Sequence, residues 1–171
     1  ETLRILSRIP SEVSVDILEA LSNFHHPANL SEGKRHLLLT KLRGKVLHPF
    51  FKRHDVPEAN LYELRLSHGS PLDCSYSSLQ KTMSRETTTE IGVELEKILT
   101  EISKHLQEPG SHRIILGTTT DELILDPLLD RISMLIRYFS TQQNGFFEIR
   151  TRSHDLQHLL DLPHARKTML T

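Results

Sequence analysis

Several features are scarce in this chain of 171 residues, which has one cysteine, no tryptophan and an aromatic fraction of 5%. A single cysteine excludes an internal disulfide framework and suits a reducing compartment. No apolar run approaches the roughly 18 residues of a membrane-spanning helix, and the first residues lack the charged and apolar regions of a signal peptide. We therefore expect a cytoplasmic protein without a membrane partner.

Charge of one sign is also lacking, because the net charge is −1. The overall electrostatics therefore give no sign of the basic surface that nucleic-acid binding usually requires. One local cluster within residues 41–57 is an exception, since it interleaves basic and aromatic side chains. The cluster either contacts a phosphate backbone or is a solvated connector that buries its two phenylalanines. Its members are Lys41, Arg43, Lys45, Phe50, Phe51, Lys52 and Arg53.

Residues 1–57 are predicted to form a small α/β segment that ends in this basic linker. Apolar positions at helical spacing predict a helix over 1–9, which Pro10 ends. Alternating residues predict a brief strand over 12–15, and Asp16 is a candidate cap for a second helix. The apolar run within residues 34–40 predicts a buried strand.

Residues 58–171 alternate strand and helix patterns, which is typical of α/β folds. Helix 93–106 is predicted to join two paired parallel strands, at 87–91 and 113–116. The predicted fold is α/β, with residues 58–171 forming a truncated first half of a TIM-like (β/α) barrel. The other predicted strands lie at 61–66, at 145–149 and from Lys167 onward, and the other predicted helices lie at 128–139 and 155–160.

Residues 67–80, here called the cluster loop, follow the predicted strand 61–66, where parallel α/β folds place their chemistry. The loop reads S-H-G-S-P-L-D-C-S-Y-S-S-L-Q. It resembles the loop of the spore photoproduct lyase family of radical S-adenosylmethionine enzymes, G-C-x-x-x-C-x-Y-C-x-L-Q. In that family three cysteines hold a [4Fe-4S] cluster. The matching positions here are Ser70, Cys74 and Ser77, so two of the three thiolates are missing.

Three further segments resemble the same family. Thr118 to Asp121 resembles C-T-S-D, in which the cysteine donates hydrogen to the substrate radical, so Thr118 takes the donor position. Thr151-Arg152 resembles T-K, whose lysine contacts the S-adenosylmethionine carboxylate. A third match, His158-Leu159-Leu160-Asp161 with His164, Lys167 and Thr168, resembles H-L-L-D-x-x-H-x-x-K-T. The resemblance implies S-adenosylmethionine contacts at Tyr76, Thr120, Asp121, Arg152 and Ser153.

The resemblance implies a DNA-repair enzyme that reverses thymine photoproducts with a [4Fe-4S] cluster, S-adenosylmethionine and DNA. Iron-sulfur clusters are held by soft thiolates, and a serine hydroxyl is a harder donor that ionises reluctantly. We therefore expect this chain to lack the cluster and to be inactive. The alternative is a non-catalytic relative that serves as a scaffold for nucleic acid or a protein partner.

Two other sites are weighed from the residues alone. Histidines 154, 158 and 164 are candidate zinc ligands, because His154 and His158 are spaced to share one helix face. Cys74 is a candidate nucleophile with His68 as its base. Neither has a third group at a recognised spacing.

Overall fold

The structure is a computed structural model that describes residues 1–27, 29–50, 60–72 and 88–171. Within these residues eight strands form two sheets. The strands are β1 (Leu37–Thr40), β2 (Leu47–Pro49), β3 (Leu61–Leu64), β4 (Ser67–His68), β5 (Thr89–Gly92), β6 (His112–Leu116), β7 (Gly145–Ile149) and β8 (Thr168–Leu170). The α-helices are α1 (Thr2–Leu6), α2 (Leu30–Gly33), α3 (Leu95–Leu106), α4 (Asp126–Leu129), α5 (Arg131–Ser140) and α6 (Gln157–Leu160).

The larger sheet has the strand order β2-β3-β6-β7-β8. Strand β2 is antiparallel to β3, and the other four strands are mutually parallel. Their register places Glu63, Ile115 and Glu148 side by side on β3, β6 and β7. The α/β prediction is confirmed, and this sheet is open in the described part of the chain.

The main core lies on one face of this sheet, under α3 and α5. Apolar residues recur on one side of α3, at Ile98, Ile102 and Leu106, and these side chains are buried. On α5, Phe139 stacks on Phe147 of β7 with ring centroids 4.9 Å apart. The predicted helix 93–106 and the predicted strand 145–149 are therefore confirmed. Both elements were predictable because a helix or strand that is buried on one face repeats its apolar residues at a regular spacing along the sequence.

The smaller sheet has the order β1-β5-β4, and its pairing corrects one prediction. Strand β5 lies in the segment predicted to pair with 113–116, but it pairs with β1 in parallel and with β4. Strand β6 pairs with β3 and β7 instead. A second core cluster lies beside this sheet and joins Ile91 and Val93 to Ile5 and Leu129. The partner of β5 depends on contacts between residues far apart in the sequence, which no local pattern predicts.

Several predictions for residues 1–40 are wrong. No strand forms at 12–15, and the helix expected from Asp16 is reduced to a 3-10 turn at Leu21–Asn23. The side chain of Ile17 is 90% exposed, so the apolar residues here have no described core to enter. The first helix is shorter than predicted, and β1 is a partly exposed edge strand rather than a buried one.

The predicted helix 128–139 is divided into α4 and α5 at Asp130, which has a left-handed backbone with φ 50°. The carboxylate of Asp126 accepts hydrogen bonds at 2.8 Å from the backbone N–H groups of Arg131 and Ile132. These bonds cap the amino end of α5, which explains the break. The predicted helix 155–160 is observed as α6.

The predicted division of the chain near residue 57 stays a prediction. Phe51, Lys52 and Arg53 of the basic linker lie outside the described residues. Within the described ranges, no helix combines the length and the apolar character that crossing a membrane requires.

Candidate functional site at the carboxyl edge of the large sheet

Three neighbouring parallel strands, β3, β6 and β7, end at the same edge of the large sheet. Active sites of parallel α/β folds form at this edge, because the loops that leave it converge there. The loop after β6, Thr118 to Asp121, is here called the threonine loop. It lies between the start of the cluster loop and the segment after β7.

Two threonine hydroxyls of the threonine loop connect it to the neighbouring strand. Thr118 Oγ1 donates a hydrogen bond to Glu63 Oε1 on β3. Thr120 is buried, and its Oγ1 donates to the carbonyl oxygen of Gly69 in the cluster loop. The two positions predicted for donor and cofactor contacts therefore lie beside the strand that leads into the cluster loop.

Asp121 connects the threonine loop to the segment after β7. Its Oδ1 accepts a hydrogen bond from Thr151 Oγ1 at 2.8 Å, and its Oδ2 accepts one from the backbone N–H of Arg152 at 2.6 Å. The backbone N–H of Ser153 in turn donates to Thr151 Oγ1 at 2.9 Å. One buried carboxylate thus sets the backbone position of the predicted cofactor residues Arg152 and Ser153.

A cleft of about 370 Å³ opens beside these residues. This volume lies within the usual range for small-ligand sites. Its wall combines apolar side chains with one guanidinium, one carboxylate, one hydroxyl and two imidazoles. The lining residues are Leu72, Leu123, Ile124, Pro127, Arg152, Ser153, His154, Asp155 and His158.

The described part of the cluster loop is held by hydrogen bonds to protein groups. Lys34 Nζ donates to the carbonyl oxygen of Ser70 at 2.9 Å and also to that of Leu72. The hydroxyl of Ser70 accepts a hydrogen bond from the backbone N–H of Leu72 at 3.2 Å. Cys74, Tyr76 and Ser77 lie outside the described residues. Ser70 therefore takes part in a local turn, with an ammonium group beside the loop.

The three histidines weighed as candidate zinc ligands are not grouped as a metal site. Among the residues that the structure describes, no three His, Cys, Asp or Glu side chains are grouped so that they could hold a metal ion. His158 instead lies 3.3 Å from Asp126, through Nε2 and Oδ2. The nucleophile hypothesis for Cys74 and His68 falls on a cysteine outside the described residues.

Glu122, directly after the threonine loop, is a buried carboxylate that the sequence argument missed. Its Oε1 accepts a hydrogen bond from Ser67 on β4, and its Oε2 lies 3.6 Å from Nη1 of the buried Arg131. Burial raises the pKa of Glu122, while the Arg131 charge and the Ser67 hydrogen bond act in the opposite direction. Arg131 also donates at 2.6 Å to the carbonyl oxygen of Gly92 in β5, which joins the two sheets.

A row of charged residues on β3, β6 and β7 and directly after β3 and β7 was also not predicted. We call it the charge row, and it consists of Glu63, Arg65, Arg113, Glu148 and Arg150. The two glutamates are each 4% exposed and pair with arginines. A sequence signal was present, because E-L-R at 63–65 and E-I-R at 148–150 repeat one pattern where two strands end.

Comparisons with known proteins agree on one family. The family model described as spore photoproduct lyase matches residues 48–171. Spore photoproduct lyase of Bacillus subtilis (strain 168) is 29% identical over 109 residues, which cover 63% of this chain and 32% of that protein. The protein of the same name from Geobacillus sp. (strain Y412MC61) is 27% identical over the same coverage. The chain thus spans about a third of the length of these curated relatives.

Solved structures support the fold. A spore photoproduct lyase complexed with dinucleoside spore photoproduct matches with a TM-score of 0.70 and 24% identity, over 82% of this chain and 40% of that chain. A double mutant with bound AdoMet and dinucleoside spore photoproduct matches with a TM-score of 0.68 and the same identity and coverage. At this identity the likeness establishes the fold of the half-barrel.

Proposed function

This chain belongs to the spore photoproduct lyase family, and from that premise we propose that it binds S-adenosylmethionine and thymine-photoproduct DNA without radical turnover. The observation that carries the proposal is the pair of hydrogen bonds that Asp121 accepts from Thr151 and Arg152. They hold the segment that matches the cofactor contact of the family. The segment that we propose to contact the cofactor therefore keeps hydrogen bonds that fix its backbone.

The residues beside the cleft fit S-adenosylmethionine. The guanidinium of Arg152 provides a cation for the amino-acid carboxylate, which it can bind through two parallel hydrogen bonds. Leu123 and Ile124 supply apolar wall. Thr120, Ser153 and Tyr76 complete the proposed contacts. In this family, bound S-adenosylmethionine is the source of the radical that abstracts a hydrogen atom from the substrate.

The residues at the cluster positions do not fit a [4Fe-4S] cluster. Two of the three are serines, whose hydroxyls are poor ligands for iron compared with thiolates. The Ser70 hydroxyl is already engaged by the Leu72 N–H, and the Lys34 ammonium occupies two carbonyl oxygens of the same turn. The proposed function therefore contains no step through the cluster.

The hydrogen-donor position supports the same conclusion. Thr118 offers an O–H bond, which is harder to break homolytically than the S–H bond of the cysteine in the family. Its hydroxyl also donates a hydrogen bond to the Glu63 carboxylate. We propose that Thr118 orients Glu63 rather than returning a hydrogen atom.

The proposed partner is DNA, because the solved relatives were captured with dinucleoside spore photoproduct. The proposed location is the cytoplasm, where a chain with one cysteine meets a reducing environment.

Calorimetric titration with S-adenosylmethionine tests the proposal. Arg152→Gln is expected to weaken binding by roughly tenfold or more, since it removes a charge-assisted contact. Arg152→Lys is expected to retain part of the affinity because it keeps the charge. The matched control is Arg137→Gln on the exposed side of α5, which is expected to change nothing. A native protein that binds no S-adenosylmethionine, or an Arg152→Gln variant that binds it normally, contradicts the proposal.

A further inference from the structure

The charge row has a regular placement that the proposed cofactor site does not use. Arg65, Gly117 and Arg150 are the first residues after β3, β6 and β7, which are adjacent parallel strands. Two arginines therefore flank a glycine at the carboxyl edge. Adjacent strands lie about 4.8 Å apart, so the two arginine backbones are separated by about 10 Å. No side chain from β6 separates them at this level.

Each arginine is held by a buried carboxylate two residues earlier in its strand. Arg65 lies 2.7 Å (Nε) and 2.6 Å (Nη2) from Glu63 Oε2. Arg150 Nε donates to Glu148 Oε1 at 2.7 Å. Buried carboxylates cannot move with solvent, so they fix the guanidinium groups before any ligand arrives.

The guanidinium groups remain accessible although they are held. The side chains of Arg65 and Arg150 are 53% and 41% exposed. An arginine has five N–H donors, and the described residues supply no partner for Arg65 Nη1 or for the two terminal nitrogens of Arg150. The ring of Phe50 lies 5.3 Å from the Arg150 guanidinium carbon and covers part of it. Cation–π contact of this kind leaves the in-plane donors free.

The Glu148 carboxylate contacts two arginines, because Arg113 Nη1 lies 3.6 Å from Glu148 Oε2 while Arg150 Nε lies 2.7 Å from Oε1. Arg65 and Arg150 are thus guanidinium groups that buried carboxylates hold at the surface. Fixed, exposed guanidinium donors are the arrangement expected of an oxyanion site.

We propose that Arg65 and Arg150 form a binding site for one phosphodiester group of a DNA strand. The inference rests on the proposed function, since it names the part of the DNA that the carboxyl edge holds. Thr118 donates to the same Glu63 carboxylate that binds Arg65. A phosphate held by Arg65 therefore lies next to the position that corresponds to the hydrogen donor of the family, where the linked bases must be presented.

Two probes that differ in one charge test this site. Thymidylyl-(3′→5′)-thymidine carries a phosphodiester, and its methylphosphonate analogue has a neutral linkage of nearly the same shape. We expect the native chain to bind the phosphodiester roughly tenfold or more tightly than the analogue. Equal affinity of the native chain for both probes would overturn the inference.

The variants are chosen so that no buried carboxylate loses all of its arginine partners. Glu63→Gln with Arg65→Gln replaces one pair by neutral groups, and Arg150→Gln leaves Glu148 paired with Arg113. Each is expected to reduce the preference for the phosphodiester by roughly tenfold, and to lower the slope of log affinity against log salt for a short oligothymidylate by about one. Arg137→Gln is the control that matches the charge change of Arg150→Gln. Variants that weaken both probes equally would show a structural role and overturn the inference.

Titration of the same variants with S-adenosylmethionine separates this inference from the proposed function. If the native chain binds S-adenosylmethionine but shows no preference for the phosphodiester, the phosphate site fails and the proposed function stands. If the preference is present and depends on Arg65 and Arg150, but S-adenosylmethionine does not bind, the proposed function fails and the phosphate site stands.

Discussion

The two sides of the carboxyl edge differ in what they retain from the family. On the side of β6 and β7, Asp121 connects Thr151 and Arg152, and Arg152 carries the cation that we propose to bind a carboxylate ligand. On the side of β3, the cluster loop has serine at two ligand positions, and Lys34 holds its first turn. In the described residues, hydrogen bonds within the protein position the start of the cluster loop and the segment after β7.

The close backbone contact between Gly117, after β6, and Arg150, after β7, offers the substitution with the largest expected loss of stability. Gly117 has φ +92°, and a Cβ there would lie 2.0 Å from the carbonyl oxygen of Arg150. Gly117→Ala is expected to cost at least about 3 kcal/mol of unfolding free energy, because backbone strain and overpacking add. Chemical denaturation measures this cost.

Gly44→Ala is the matched control for that substitution. Gly44 also has a positive φ, of +65°, but no atom lies within 4 Å of the added Cβ. It is expected to cost about 1 to 2 kcal/mol from strain alone. An equal loss of unfolding free energy at the two glycines would show that Gly117 lies farther from the Arg150 backbone than the structure indicates.

Asp121→Asn tests the retained side directly. The substitution turns one acceptor into a donor facing the Arg152 N–H, so we expect a loss of about 1 to 3 kcal/mol in stability together with weaker S-adenosylmethionine binding. Asp161→Asn, at an exposed position between β7 and β8, serves as the control for charge. Unchanged ligand affinity in the Asp121 variant would remove the main support for an intact cofactor side.

Lys34→Met tests the altered side. It removes the ammonium that bonds the carbonyl oxygens of Ser70 and Leu72, and we expect a local loss of about 1 to 2 kcal/mol. Hydrogen exchange at the Leu72 amide should accelerate accordingly. Lys45→Met, at an exposed position of the linker, should leave this exchange rate unchanged, and a rate unaffected in both variants would show that another contact holds the turn.

Glu122 links the two sides through Ser67, and its titration should appear in the pH dependence of stability. Burial raises its pKa in the folded chain above the ordinary value of 4.5. The folded state then binds the proton more tightly than the unfolded state, so this contribution is fully present below 4.5 and is lost as the pH rises through the folded pKa. Relative to Glu122→Gln, the native chain should lose stability over that interval, and chemical denaturation across a pH series measures the loss. A constant difference between the two proteins at all pH values would contradict the assignment.

The sequence predicted those parts of the fold that depend on local periodicity. Helix α3 and strand β7 were predicted because their apolar residues repeat at the spacing of one buried face. The partner of β5 was not, since burial of Ile91 against Ile5 and Leu129 depends on residues far apart in the chain. The break at Asp130 was missed because Asp126 caps α5 from within the segment predicted to be one helix.

The candidate site was predictable only where it resembled known motifs. Thr118, Asp121 and Arg152 were predicted in this way, whereas the hydrogen bond that joins Asp121 to the Arg152 backbone could not be predicted. The charge row was missed because glutamate and arginine near a strand end usually face solvent. Only the register, which places Glu63 and Glu148 on either side of Ile115, shows that they share a buried row.

We propose that this chain, which keeps the half-barrel fold of its family, does not hold the iron-sulfur cluster. Quantification of iron and sulfide after anaerobic reconstitution tests it most directly, on the native chain and on a Ser70→Cys, Ser77→Cys variant. We expect no cluster in the native chain and a [4Fe-4S] cluster in the variant, in which the three thiolate positions are restored. A native chain that retains a four-iron cluster through this treatment would contradict the account.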